Sequence, residues 1–319
     1  MSENNSSDSA ILRDLAGELL AEKRTSRKWK TFFKCLMYFY LGLLLITLLF
    51  GAFGGGGSKS VAGEHLALIP FNGVIAANGD VNAWQMNDLL ETAFEANNAQ
   101  GVVLLINSPG GSPVQSESIY QKILSLRAEY PEKKLYAVVA DVCASGSYYV
   151  AAAADEIYAS RASIVGSIGV RMDSYGVTEL MDKLGVESRT ITAGENKAIF
   201  SPFEEVNPEH VAHLEKLIGQ VHDQFINDVR AGRGDRLTEV DGLFSGLFWT
   251  GEEAVEIGLV DGLGDAEYIA TQKYDDLELV SYEPAKSFYE ELSEGMGVGL
   301  GKMLLKVFRA GSETTPVLN

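Results

Sequence analysis

The chain is 319 residues long, 46% of them apolar, and carries a formal charge of −18 at pH 7. That length holds one large or two small domains, and the apolar fraction supplies a sizeable core. A charge this negative excludes a general nucleic-acid binder, because a phosphate backbone calls for a basic footprint. The two cysteines lie outside any CxxC or Cys/His cluster, so nothing suggests zinc; no metal or cofactor is expected.

Residues 1–31 read as a short polar cytoplasmic tail with a helical stretch at about 9–24. From Cys35 to Phe53 run 19 residues without a charge. As a helix at about 1.5 Å per residue, that run is roughly 28 Å long, enough for the core of a bilayer. A transmembrane anchor is therefore expected over 32–53. Arg24, Arg27, Lys28, Lys30 and Lys34 crowd its N-terminal flank, so the positive-inside rule keeps the N-terminus cytoplasmic and exports the rest. A cleaved signal peptide is the competing reading, but the run exceeds the roughly 7–15 residues of a usual signal core. Residues 54–63 read as a flexible linker. Seven basic and five acidic residues precede Ser58, leaving 19 basic and 39 acidic ones, a charge of −20, on the exported part.

Residues 64–285 read as one α/β domain. Residues 66–71 form a strand ended by Asn72-Gly73, and 82–96 have helical spacing. Gly101-Val102-Val103-Leu104-Leu105-Ile106-Asn107 is apolar almost throughout, as in a strand buried on both faces. The loop Ser108-Pro109-Gly110-Gly111-Ser112-Pro113 follows, then a helix to about Tyr130. The apolar run 135–140 feeds a small-residue helix over 144–154, and 156–159 is a short strand. Residues 165–170 are strand-like, 177–184 form a helix ended by Gly185, and 187–192 alternate like a strand. Asn207 caps a long helix over 207–230 with Pro208 at its first position. Thr250 caps another over 250–258, with Glu253 three residues on. In the tail 286–319, apolar positions over 286–308 suit an amphipathic helix. Alternating buried strands and helices imply a sheet with helical crossovers.

The small-residue helix opens at Ser145. A strand, a tight turn and a helix beginning at serine can expose and activate a hydroxyl. The bland alternative is a small residue that lets helix and sheet pack closely. The first amides of a helix are unpaired and its dipole favours negative charge, so the N–H of Gly146 suits an oxyanion. Gly110 and Gly111 are candidates for a second donor, since glycine lets an amide face a ligand. An ordinary Pro-Gly turn is the alternative there, and the GK[ST] ending of a phosphate loop is missing.

No histidine occurs between His65 and His210, so the usual activating base is missing. His210, His213 and His222 lie on the long helix and read as solvated residues. His210 and His213 are one turn apart, but a metal pair there lacks a third ligand. Lys197, beside Ala198, Ile199 and Phe200, is another choice of base, because burial makes a lysine a proton acceptor near neutrality. A solvated loop lysine is the alternative. Cys143 reads as a buried small hydrophobe rather than as a nucleophile.

Five stretches, in order, resemble the signal peptide peptidase A family of membrane-anchored serine proteases in its single-domain form. They are Asn107-Ser108-Pro109-Gly110-Gly111-Ser112, Ala144-Ser145-Gly146-Ser147-Tyr148-Tyr149, Gly166-Ser167-Ile168-Gly169-Val170, Gly194-Glu195-Asn196-Lys197 and Thr250-Gly251-Glu252-Glu253-Ala254-Val255-Glu256-Ile257-Gly258-Leu259-Val260-Asp261. The resemblance implies a ClpP/crotonase-like fold of stacked ββα units. It implies a dyad with Ser145 as nucleophile and Lys197 as general base, Ser167 orienting the lysine, and Gly146, Gly111 and Gly110 at the oxyanion hole. It also implies a ring-like homo-oligomer whose serine and lysine come from neighbouring subunits. The implied substrates are signal peptides left in the membrane after cleavage, together with misfolded exported proteins. The implied location is the bacterial inner membrane, single-pass, with the domain on the periplasmic side. A peptide is expected to bind as an added strand beside Ser112 and Pro113 on one side and Ile168, Gly169 and Val170 on the other. One departure is Ser147, where the family often has a second glycine. Two other readings are a crotonase-type acyl-CoA hydratase or isomerase, which export opposes, and a non-catalytic scaffold.

Overall fold

The structure, a computed structural model, describes residues 28–45 and 63–284. The chain divides into two units, the second running Val61–Pro284. In the first, helix α1 covers 28–45, and the rings of Trp29, Phe32 and Phe33 pack on one another. Among the described residues no helix is long and apolar enough to cross a membrane. Residues 46–53 of the expected anchor lie outside the described residues. So do the helical stretch at 9–24, most of the linker and the tail over 286–319.

The second unit is built on an eight-stranded sheet. At its centre β1 (His65–Asn72) pairs in parallel with β2 (Ala99–Ser108), and β2 with β3 (Lys134–Ala144). Parallel strands are covered on both faces, which is why all three are rich in Leu, Val, Ile and Ala. Successive side chains serve opposite layers: Ala67, Val102, Leu104 and Ala137 enter the larger core, while Leu66, Val103 and Val138 enter the smaller.

Helices α2 (Ala83–Glu95) and α3 (Pro113–Glu129) cover the larger core and pack together. Asn82 caps α2 and Ser112 caps α3, with Pro113 opening the latter. Helix α4 (Gly146–Ala151) leaves the end of β3 and is buried along its whole length. The far edge of β3 is shared. Its residues 136–139 pair with β4 (Glu156–Ala159), and its residues 142–144 pair with β5 (Ile164–Gly166).

Strand β5 is shorter than the 165–170 expected. Gly166 and Ser167 have φ values of 103° and 51°, which turn the chain off the sheet. Helix α5 (Thr178–Leu184) ends at Gly185 as expected. The alternating stretch 187–192 forms no strand: it is exposed, and among the described residues no strand pairs with it. Helix α6 (Pro208–Arg233) starts on the Asn207 cap. Strand β6 (Phe248–Thr250) runs antiparallel to β5, and α7 (Gly251–Glu256) follows on the Thr250–Glu253 capping box. Like β6, three further elements lie outside the sequence expectation: β7 (Gly262–Leu263), α8 (Ala266–Lys273) and β8 (Glu278–Ser281).

An ion pair with a fully buried arginine ties the end of α6 to the residue before β7. The Arg233 side chain is fully buried and meets the Asp261 carboxylate with two nitrogens, at 2.8 and 3.0 Å. Its Nε donates to the Gly258 carbonyl at 2.9 Å, and Arg236 also reaches Asp261, at 3.0 Å.

Candidate active site

Ser145 joins β3 to α4 at φ 56° and ψ −124°, a conformation that a non-glycine residue seldom adopts. It is held there from both sides. Its N–H donates to the Gly166 carbonyl at 2.7 Å, and its own carbonyl accepts the Tyr149 N–H at 3.0 Å. Its hydroxyl makes no capping bond to the helix it precedes. Strain of this kind persists only where packing over-determines it. Here it presents the Ser145 oxygen instead of folding it into the helix end.

The loop after β2 comes up beside this turn. Ile75 donates to the Gly110 carbonyl at 3.0 Å and accepts the Ser112 N–H at 2.8 Å. Gly111 lies between those two bonds, so strand alternation turns its own N–H to the opposite side. A Cβ on Gly146 would lie 3.2 Å from the Gly111 nitrogen, so the two amides are neighbours. The Gly110 N–H is already committed to the Ser108 hydroxyl at 3.2 Å. Gly110 thus serves close approach, since a Cβ on it would come within 2.6 Å of the Ala144 carbonyl and the Gly146 nitrogen. A Cβ on Gly111 would come within 2.1 Å of the Ile75 carbonyl.

A cleft of about 680 Å³ brings together Ser145, Gly146, Gly110, Gly111 and Ser167. Ser167 has φ 51° and is held by its N–H on the Leu247 carbonyl at 2.8 Å. Of the residues expected to bind a substrate strand, Pro113, Gly169 and Val170 line the cleft. Ser112 and Ile168 do not. Ser112 caps α3, whereas the Ile168 side chain is buried and its carbonyl accepts from His222 Nε2 at 3.2 Å. His222 is therefore no solvated helix residue, and His210 too is engaged, with Asn196 at 3.0 Å.

Lys197 is exposed, on the segment 171–206, and is not among the residues that line the cleft. Within one chain the structure gathers every expected catalytic group except this one. Cys143 is fully buried, and burial pushes its thiol up to about 12, only partly offset by the Ser147 hydroxyl. It supplies no thiolate at neutral pH.

Sequence reasoning does not identify the residues that form the apolar wall of the cleft. Val74, Tyr149, Val221 and Phe225 line it. The Tyr149 and Phe225 rings stack with centroids 4.7 Å apart. Tyr149 donates its hydroxyl to the Asp228 carboxylate, and burial with that contact pushes its pKa far up. It remains a hydrogen-bond donor and no base. The i,i+4 spacing of Val221 and Phe225 marks an apolar stripe, but only the fold reveals which part of the stripe meets the cleft.

The model of peptidase family S49 matches residues 127–280. Over 216 residues the chain is 44% identical to a Na+/H+ antiporter NhaA of Brucella melitensis, covering 67% of this chain and 29% of that protein. The chain thus spans less than a third of the length of that relative. It is 36% identical over 228 residues to a candidate protease of Methanocaldococcus jannaschii, covering 68% of this chain and 72% of the relative. It is 30% identical over 218 residues to a candidate signal peptide peptidase of Enterococcus faecium, covering 66% of this chain and 62% of that one.

Proposed function

We propose that this chain, which belongs to peptidase family S49, the signal peptide peptidase A family, is a membrane-anchored serine endopeptidase with Ser145 as nucleophile and Lys197 as general base. The observation that carries this reading is the strained Ser145 turn, its hydroxyl uncommitted, beside the amides of Gly146 and Gly111. Ser145 Oγ attacks the scissile carbonyl carbon while Lys197 Nζ takes the hydroxyl proton. The oxyanion that forms receives the N–H groups of Gly146 and Gly111. The C–N bond then breaks, and the lysine returns its proton to the leaving amine. Water, deprotonated by the same lysine, hydrolyses the acyl-enzyme. Ser167 orients the lysine by a hydrogen bond.

The exposed position of Lys197 supports a site shared between subunits of a ring-like homo-oligomer. The segment that carries it holds Tyr175, Ile191 and Val206 at 82%, 97% and 75% exposure. Apolar exposure on that scale marks a contact surface. The parallel β1–β2–β3 core with its crossover helices supports the ClpP/crotonase-like reading of the fold. The apolar cleft wall suits hydrophobic side chains, as in signal peptides left in the membrane and in misfolded exported proteins. The anchor over 32–53 would hold the domain on the periplasmic side, where those substrates lie.

The test uses a fluorogenic peptide with apolar residues before the cut. Ser145→Ala and Lys197→Ala should each abolish cleavage. Chains carrying one change each, co-assembled, should regain part of it, because some sites then pair an intact serine with an intact lysine. Full activity in Lys197→Ala would sink the dyad. Two dead variants with no recovery on mixing would confine the dyad to one chain.

A further inference from the structure

The two amides at the oxyanion position come from separate parts of the chain, one from the β3–α4 turn and one from the loop between β2 and α3. Their separation decides whether both reach the same oxygen. Donors must lie about 2.7–3.1 Å from where the oxyanion forms. Beyond an irregularity, the sheet ties their two strands at a single residue pair. The β2–β3 ladder is irregular between Ile106 and Ser108, and it resumes only at the pair Ser108 with Cys143.

Ser147 bridges the gap. It is fully buried, and its Oγ lies 2.8 Å from the Ser108 carbonyl and 2.8 Å from the Ala144 carbonyl. One hydroxyl proton is thus shared between the end of β3 and the last residue of β2, from which the donor loop leaves. The hydroxyl of Ser108 in turn accepts the Gly110 N–H. A continuous path runs from the first turn of α4, through Ser147, Ser108 and Gly110, to the residue before the second donor. Among the described residues Ser147 makes the one side-chain hydrogen bond from α4 to this loop. A glycine at 147 has no group to make it.

We infer that Ser147 is a positioning residue that sets the spacing between the Gly146 and Gly111 amides. The inference rests on the serine-peptidase reading above. Ser147 touches neither substrate nor the reacting atoms; it acts through Ser108 and Gly110. Its removal should cost transition-state stabilisation and leave ground-state peptide binding alone.

The experiment uses the full chain with Ser147→Ala and Ser147→Gly. Both should lower kcat about 10-fold, within the range a sub-ångström misplacement costs, with KM within about two-fold because ground-state binding is untouched. A peptide aldehyde, whose adduct places an oxygen at the oxyanion position, should bind weaker by the same factor. The matching peptide amide should bind unchanged. Exchange of the Gly111 and Ser112 amides should speed up as the loop loosens. Unchanged kcat in both variants, or equal losses for aldehyde and amide, would overturn the inference and leave Ser147 a filler of buried space. Should neither variant fold, Ser108→Ala breaks the same path at the next link and is read by the same measurements. A Ser145→Ala control separates the two levels. An active Ser145→Ala protein ends the peptidase reading, whereas a dead one beside fully active Ser147 variants ends only the positioning role.

Discussion

The Ser145 turn and the segment 171–206 hold the two halves of one proposed site in opposite physical states. Every residue of α4 is buried, and Ser145 is kept in a strained conformation by bonds on both sides. No residue of 171–206 is buried, and its large apolar side chains face water. The contrast shows what each group needs. A strained nucleophile must be built into the core, since nothing weaker would hold it. A lysine base must leave water to accept a proton readily, and among the described residues nothing buries the segment that carries it. Folding therefore prepares the serine, and in the proposed oligomer assembly delivers the lysine. Inactive until assembled is the expected behaviour of such a chain.

Four changes would break or sharpen that contrast. The largest effect is expected behind the packed half. Arg233→Met leaves the partly buried Asp261 carboxylate without its main partner and should cost about 3 kcal/mol in a denaturant titration, Arg236 and the Ile157 amide remaining. Next is Gly111→Ala, whose Cβ would strike the Ile75 carbonyl and push the loop amide aside. It should lower kcat by about 10²–10³, the usual loss for one oxyanion donor. Ile191→Asp attacks the exposed half instead. It should weaken assembly by about 2 kcal/mol, as at an interface hot spot, and activity with it. The thermal melt of the dissociated chain should shift little, because an exposed side chain contributes within about 0.5 kcal/mol to folding. A lowered melt with assembly intact would place Ile191 in the fold after all.

The smallest effect is pH-dependent. Burial alone would raise the Asp261 carboxyl, but the Arg233 guanidinium, the Ile157 amide and Arg236 outweigh it and hold it below the ordinary range. A depressed carboxylate stabilises the fold fully above its unfolded pKa of about 3.9 and loses that contribution as pH falls through the lower folded value. Melting points measured from neutral pH down to about pH 2 should therefore drop below about pH 4, and less so in Arg233→Met. Equal acid sensitivity in both proteins would assign the drop to other carboxylates.

Much of the packed half was legible in the residues. The apolar runs of β1, β2 and β3 are long enough to declare themselves, and Asn207, Gly185 and the Thr250–Glu253 pair mark helix ends by side-chain chemistry. The short strands β6 and β7, of three and two residues, carry no periodic signal. Residues 187–192 carry a strand-like pattern without a neighbour to pair with among the described residues, which no local reading can detect. At the site, the Ser145 turn could be read from a strand running into a small-residue helix. The division of labour among the loop glycines could not, because it depends on Ser108 and Ile75 meeting them across the fold. Likewise Val221 and Phe225 reach the cleft only because α6 crosses it.

Helix α6 has a mechanical consequence. Its 26 residues make a rod about 39 Å long at roughly 1.5 Å per residue. One end is clamped where Arg233 grips Asp261 and Gly258, and near the other His210 touches Asn196, next to Lys197. Between them Val221 and Phe225 form the cleft wall, and His222 holds the Ile168 carbonyl. In the proposed dyad, the segment that carries Lys197 and the apolar wall of the cleft therefore share one support, the first through His210 and the second through Val221 and Phe225.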